Sequence, residues 1–324
     1  MKVFLTFDIE VWCNGWSALD ERFPAAFDRY IFGRSAAGEF ALPKTLEILN
    51  RYGLKGVFFV EPLFSARFGT EYLHTICQLI QSAGQEIQLH LHPEWTDEIR
   101  PAIFPDKPYK RQHLIHYDQA EQSRLIKLGR ALLEAAAGAP ISAFRAGSFA
   151  ANGDTLAAVA EAGLLVDSSM NISCPLSGAD LRDQRDLTAP QCYHGLQLVP
   201  ISVFRDGFGK LRHAQIGACS VAELRQALQE ALYRGYNIFT ILSHNFEMLQ
   251  SGSTEPDRWV VRRFEQLCSF LAAHRNDFPT RGFIETLTFP DTTSPLGVPR
   301  SGRLATMTRY YEQARRHLHH RVLR

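Results

Sequence analysis

The chain has 324 residues, 45% of them hydrophobic and 21% charged, with a formal net charge of +1. That length buries one large core or two smaller ones, and the composition excludes a disordered or collagen-like chain. A near-neutral balance gives no global basic field, which excludes nucleic acid as the main partner.

In chain order, residues 3–9 read as a buried strand, 42–52 as a helix opening near Pro43, and 56–60 as a strand. A helix over 70–82 ends before Gly84, and a strand follows over 86–91. The rhythm continues with a helix over 119–137, a strand over 141–145, a helix over 155–162, and strands near 164–166 and 198–203. A helix over 221–233 and a strand over 238–242 complete it. Repeated β-α units imply a parallel sheet, open or closed into a barrel. Three long connections, 12–41, 95–118 and 171–196, break the pattern and are candidates for functional loops.

The faces of the strands favour the barrel. Over 86–92, alternation puts Ile87, Leu89 and Leu91 on one face and Glu86, Gln88, His90 and His92 on the other. The first strand ends with Asp8 and Glu10 on one face and Phe7, Ile9 and Val11 on the other. An open sheet covered by helices on both sides would bury two apolar faces, so polar faces at strand C-termini fit a barrel whose inner rim lines a site.

Asp8 and Glu10, two carboxylates at i and i+2, point the same way and either share a proton or neutralise a cation. His90 and His92 form a second such pair, ended by Pro93-Glu94-Trp95. Imidazoles and carboxylates converging on one rim form a nitrogen and oxygen ligand set suited to Zn²⁺, with Fe²⁺, Co²⁺, Ni²⁺ or Mn²⁺ also compatible. Later strand tips carry Arg145, which beside a carboxylate keeps it ionised and oriented, and His244, which across a cleft can protonate a leaving group.

Four segments, Thr6-Phe7-Asp8-Ile9-Glu10, Gly84 to Pro93, Phe144-Arg145-Ala146-Gly147 and Leu242-Ser243-His244, stand in the order and rough spacing of the polysaccharide deacetylase family, which the chain resembles over residues 1 to about 250. The resemblance implies a distorted (β/α)₇ TIM-like barrel, a divalent metal held by one carboxylate and two histidines, and hydrolysis of an N-acetyl group on a sugar. That family usually has adjacent aspartates in its first motif; here Asp8 matches the base, and Glu10 would have to reach the metal. Its second motif usually has histidines at i and i+4; here His90 matches the first and Glu94 the second, with His92 between. Metal ligation by His92, by Glu94 or by both stays open, with His92 favoured because it shares the strand register of His90. Asp167-Ser168-Ser169 stands where a fourth motif falls and receives no role.

The mechanism so implied has Asp8 taking a proton from a metal-activated water and Arg145 holding Asp8 charged. His244 then protonates the departing amine. Trp12, Trp16 and Trp95 flank the proposed metal loops and either stack on pyranose faces or pack into the core. The barrel is expected over 1–290 and a basic tail over 291–324, where residues 300–324 hold seven arginines against the single acid Glu312. Such a segment is a solvated helix, or it contacts a membrane surface or an acidic partner.

Elsewhere, no run approaches the roughly 20 apolar residues of a membrane span, and Asp8 interrupts the N-terminal apolar run too early for a signal-peptide core. The six cysteines are scattered without a Cys-x-x-Cys pair, so the expected setting is a reducing cytoplasm. The leading expectation is a metal-dependent deacetylase acting on an N-acetylated glycan or glycoconjugate. The alternatives are an amidase acting on a non-sugar C–N bond and a catalytically silent glycan-binding barrel.

Overall fold

Short β-branched and aromatic runs separated by helical segments fold here as a curled sheet. A computed structural model of the chain describes residues 1–176, 178–179, 188–286 and 297–322. Strands β1 (Lys2–Ile9), β2 (Gly56–Val60), β3 (Glu86–Leu91), β4 (Ala143–Ala146), β5 (Val166–Asp167), β6 (Gln191–Tyr193), β7 (Leu196–Leu198) and β8 (Ile238–His244) form one sheet, ordered β8-β1-β2-β3-β4-β5-β7-β6. Every pairing is parallel except the β6–β7 hairpin. Successive strands are neighbours, and the last long strand returns to pair with the first, which is the connectivity of a barrel rather than of a doubly wound sheet. Between β5 and β8 the wall is irregular. Ile201 N–H donates to Met170 O at 2.9 Å, Ser202 N–H to Thr240 O at 3.1 Å, and Leu242 N–H to Ala214 O at 2.8 Å.

Helices α1 (Leu19–Phe27), α2 (Leu42–Tyr52), α3 (Thr70–Ser82), α4 (Gln119–Ala137), α5 (Gly153–Glu161), α6 (Val221–Tyr233), α7 (Arg258–Ala273) and α8 (Arg303–Val322) accompany the sheet. Their ends follow local chemistry. Pro43 opens α2, and Gly53 closes it at φ 61°, a left-handed conformation that costs glycine little. Reciprocal side-chain to backbone bonds start α4 (Asp118 with Glu121) and α6 (Ser220 with Glu223).

The period-2 alternation of the strands divides the apolar residues into two cores. Phe7, Phe58, Leu89, Leu91, Phe144 and Ile241 point outward to the helices. Phe4, Val57, Phe59, Ala143, Val166, Val199, Ile238 and Phe283 point inward and plug the floor of the barrel, with Phe4 and Phe283 ring centroids 4.5 Å apart. Thr240, Thr6 and Gln88, all buried, stand in register with Phe4, Val57 and Phe59 of this floor. Glu86, at the floor itself, accepts from Phe283 N–H at 3.0 Å and from Gln88 Nε2 at 2.8 Å, so the polar face of β3 is satisfied from bottom to top.

Two expectations change. The connection over 12–41 contains α1, whose Phe23 and Phe27 join the outer core. The basic C-terminal segment does not stand apart from the barrel over α8: Arg309 donates to Glu223 at 3.1 Å and to Asp206 at 2.9 Å, and Arg263 pairs with Glu312 at 2.7 Å. The arginines that composition marks as solvated are partly committed to buried acids far away in sequence. The boundary placed at residue 290, and the five acidic and basic residues of the 171–196 connection, lie outside the described residues. No helix of the described residues is long and apolar enough to cross a membrane.

Candidate active site

The C-terminal ends of β1, β3, β4 and β8 bring Asp8, Glu10, His90, His92, Arg145 and His244 to one mouth, because the inward positions of neighbouring parallel strands fall into register: Asp8 opposite His244, and His90 opposite Arg145. Glu10 follows the end of β1, where Asn245 holds it. Asn245 Oδ1 accepts from Glu10 N–H at 3.1 Å while its Nδ2 donates to Glu10 O at 3.1 Å.

The two histidines are oriented from behind. His90 Nδ1 lies 2.9 Å from the carbonyl oxygen of Arg145, which can only accept, so Nδ1 carries the proton. His92 Nδ1 lies 3.2 Å from a carboxylate oxygen of Glu94 and donates in the same way. Neutral imidazoles so fixed turn Nε2 lone pairs toward Glu10 Oε1, at 3.0 Å from each ring. Three acceptors thus face one another, which is stable only with a proton or a cation among them. Trp12 Nε1 donates to Glu10 Oε2 at 2.7 Å and fixes the carboxylate plane.

A proton on His92 Nε2 is one way to relieve that opposition, and it makes the imidazole the cation beside Glu10. Burial opposes ionisation of Glu10, but the charge of His92 and hydrogen bonds from both histidines outweigh it and hold its carboxyl well below the usual range. Burial likewise opposes charging of His92, yet Glu10 and Glu94 hold its imidazole well above its ordinary value. Glu10, His90 and His92 each place a ligand atom within 4.8 Å of the others and could hold a divalent cation; Asp8, Glu10 and His244 form a second such group. Glu94, open as a ligand on sequence grounds, stands behind His92, the carboxylate-to-imidazole arrangement that orients metal-binding histidines.

Arg145 is fully buried. Its Nη1 donates to Asp8 Oδ1 at 2.5 Å, Nη2 to Thr6 Oγ1 and Ser168 Oγ at 3.0 Å, and Nε to Ser168 O at 3.1 Å. Its guanidinium lies 4.1 Å from the centroid of the Phe59 ring, so the cation is bonded and stacked in one orientation. The Asp167-Ser168-Ser169 run, without a role on sequence grounds, supplies this support: Ser169 Oγ donates to Asp167 and accepts from Ala146 N–H at 2.9 Å. Gly147 is required beside it, because a Cβ there would stand 2.6 Å from the His92 ring.

His244 Nδ1 lies 2.8 Å from Glu247 Oε1. Glu247 also accepts from Gln215 Nε2, Gly217 N–H and Ser243 Oγ, so its carboxylate is held in place beside the ring. Burial would lower the His244 pKa, but the Glu247 bond and the charges of Glu10, Glu247 and Asp8 raise it to about 9. Sequence reasoning passed over Glu247, Asn245 and Glu61, the last of which accepts from Leu63 N–H at 2.5 Å and from His92 N–H. Two signals were present: Glu247 stands three residues after His244, and Glu61 ends a strand as Glu10 nearly does.

A cleft of about 520 Å³ opens beside His244, walled by Trp12, Tyr30, Phe246, Arg29 and Arg316. Of the three tryptophans, only Trp12 lines it. Trp95 is 1% exposed and packs among Phe23, Phe64 and Phe68, so it offers no face to a ring. Trp16 has its face covered by the Lys110 ammonium at 3.5 Å and its edge set against Trp95. The turn that Pro93 starts folds Trp95 inward.

No family profile and no curated protein matches the chain. Among solved structures, a protein assigned as a polysaccharide deacetylase from Mycobacterium smegmatis is 19% identical, covering 90% of this chain and 93% of its own, with a TM-score of 0.57. The 4-alpha-glucanotransferase of Thermococcus litoralis is 10% identical, covering 93% of this chain and 42% of its own, with a TM-score of 0.53. A family 4 carbohydrate esterase from Streptomyces lividans, solved with acetate, is 14% identical, covering 93% of this chain and 97% of its own, with a TM-score of 0.41. The chain therefore has the distorted (β/α) barrel fold of the Mycobacterium smegmatis structure, the fold expected from the resemblance.

Proposed function

We propose that the chain is a metal-dependent hydrolase that removes acetyl groups from an N-acetylated glycan or glycoconjugate. One observation carries this reading: two imidazole Nε2 atoms, each fixed by a partner on Nδ1, converge at 3.0 Å on a single oxygen of Glu10. Glu10, His90 and His92 would hold the cation. When bound, a divalent ion of the zinc class supplies an acidified water and polarises the acetamide carbonyl.

The remaining chemistry belongs to the chain. Asp8 has one oxygen paired to Arg145, which aims the other at the mouth, where it accepts the proton of the attacking water. His244, with a pKa of about 9, starts protonated at neutral pH and donates to the departing amine. Glu247 fixes its ring for that transfer. Trp12, Tyr30 and Phe246 give the cleft aromatic faces suited to the apolar faces of a sugar ring.

The test is acetate release from a panel of N-acetylated oligosaccharides by the full chain, chelated and then reconstituted with each candidate metal. Release that returns with metal and is lost in Asp8→Asn supports the reading. A metal-loaded chain that binds glycans but releases nothing from any of them overturns hydrolysis in favour of a binding barrel.

A further inference from the structure

For a surface helix, α8 is built in reverse. Ala305, Thr306 and Arg309 are buried, and Glu312 and Arg316 are tied to Arg263 and Asp257. The side chains it turns outward include Leu304, Met307 and Tyr311, exposed by 85%, 53% and 60%, at the i, i+3, i+7 spacing of a single stripe. Phe208, 58% exposed, stacks on Tyr310 at 6.2 Å and widens the patch. Surface helices ordinarily bury such residues and expose the charged ones, and a contiguous exposed apolar patch marks a contact site.

Charge indicates what the contact is. Arg300, Arg303 and Arg315 are exposed and have no carboxylate partner among the described residues. Arg315 lies 5.9 Å from the Tyr311 ring centroid and, with Arg258, Arg262 and Trp259, walls a hollow of about 330 Å³. The acid in that hollow, Asp257, is already bonded to Arg316. Three guanidinium groups beside an indole suit a phosphate, and the adjoining stripe suits a hydrocarbon chain. Tyrosines at the border fit the zone where lipid meets water. A second copy of the chain is a poor occupant, because two-fold pairing of this face would set arginine against arginine with no free acid between them.

We propose that the outer face of α8 and the neighbouring arginine hollow form a docking surface for an anionic phospholipid bilayer. The surface stands apart from the hydrolytic reading, since docking needs neither metal nor turnover. Arg316, on the same helix, lines the cleft beside His244, so a docked molecule holds that cleft near the headgroups.

Co-sedimentation of the full chain with phosphatidylcholine vesicles, with and without phosphatidylglycerol, tests the surface. The chain should pellet with the anionic vesicles alone, and less so as salt rises. The exposed triple variant Leu304→Ser, Met307→Ser, Tyr311→Ser should bind about tenfold more weakly or less. Removing Arg258, Arg262 or Arg315 should each weaken binding about fivefold. Unchanged circular dichroism and thermal midpoint establish that these variants fold. The proposal fails if the parent chain stays in the supernatant with anionic vesicles, or if the triple variant binds as tightly as the parent. It also fails if the triple variant abolishes a dimer seen by sedimentation velocity while vesicles bind neither form, which would assign the face to a second copy.

Discussion

Two regions of the molecule bury charge, and they do so in opposite ways. Between α8 and the barrel, Arg309 meets both Asp206 and Glu223, and the backbone N–H groups of Phe208, Lys210 and Ser220 complete the two carboxylates, so every buried acceptor there faces a donor. At the mouth, Arg145 and Asp8 also close on each other, but Glu10, His90 and His92 set acceptor against acceptor. Buried ions that complete one another hold a fold together, whereas buried ligand atoms left facing one another are arranged for something the chain does not itself contain. The contrast distinguishes the two ionic clusters by their own chemistry, without reference to any relative.

That separation can be broken experimentally. The largest effect belongs to the mouth: Asp8→Asn should lower turnover per folded molecule by about 10²–10⁴-fold with the bound metal nearly unchanged, while the unfolding midpoint falls because the buried Arg145 loses its charge partner. Unchanged turnover per folded molecule would make Asp8 only a structural partner of Arg145. At α8 the expectation is inverted. Arg309→Met leaves two buried acids uncompensated and should cost about 3–5 kcal/mol in denaturant unfolding, with turnover per folded molecule unchanged. A variant as stable as the parent would show that the α8 cluster holds nothing together.

Smaller effects sharpen the comparison within the mouth. Glu94→Gln keeps a hydrogen-bond acceptor behind His92 but removes the charge, and should weaken metal affinity by about 10–100-fold; equilibrium dialysis against a competing chelator reads this directly. A complete loss of metal would place Glu94 among the ligands. The pH dependence follows from His244, whose pKa is raised to about 9. As the acid, it must be protonated, so activity should persist below that value and fall as pH rises through it. Glu247→Gln removes the hydrogen-bond and charge contributions that raise the pKa, and the alkaline limb should move down by about one unit or more. An unmoved limb would assign the alkaline fall to another group.

Much of this arrangement was legible in the amino-acid sequence. The alternation over Glu86 to His92 separates outward Ile87, Leu89 and Leu91 from inward Gln88 and His90, and the outer core contains those three aliphatic residues. Period-2 patterning is local, and local signals survive folding. Trp95 was harder to place, since the distance from a metal loop along the chain does not say on which side of a turn a ring falls. Its partners Phe23 and Phe64 come from segments with no sequence link to it. The arginines of α8 show the same limit: composition counts charges but cannot show that Asp206 and Glu223 wait 103 and 86 residues upstream of Arg309. Glu94 lay within the right motif, but which face of an imidazole it meets is a matter of angles, not of spacing.

Metal stoichiometry tests the central claim most directly. Elemental analysis of the full chain, loaded with divalent metal and exhaustively dialysed, should find a single ion per molecule, and the ion should be absent from a folded Glu10→Ala variant. A folded chain that retains no metal, or a Glu10→Ala variant that retains as much as the parent, would contradict the account.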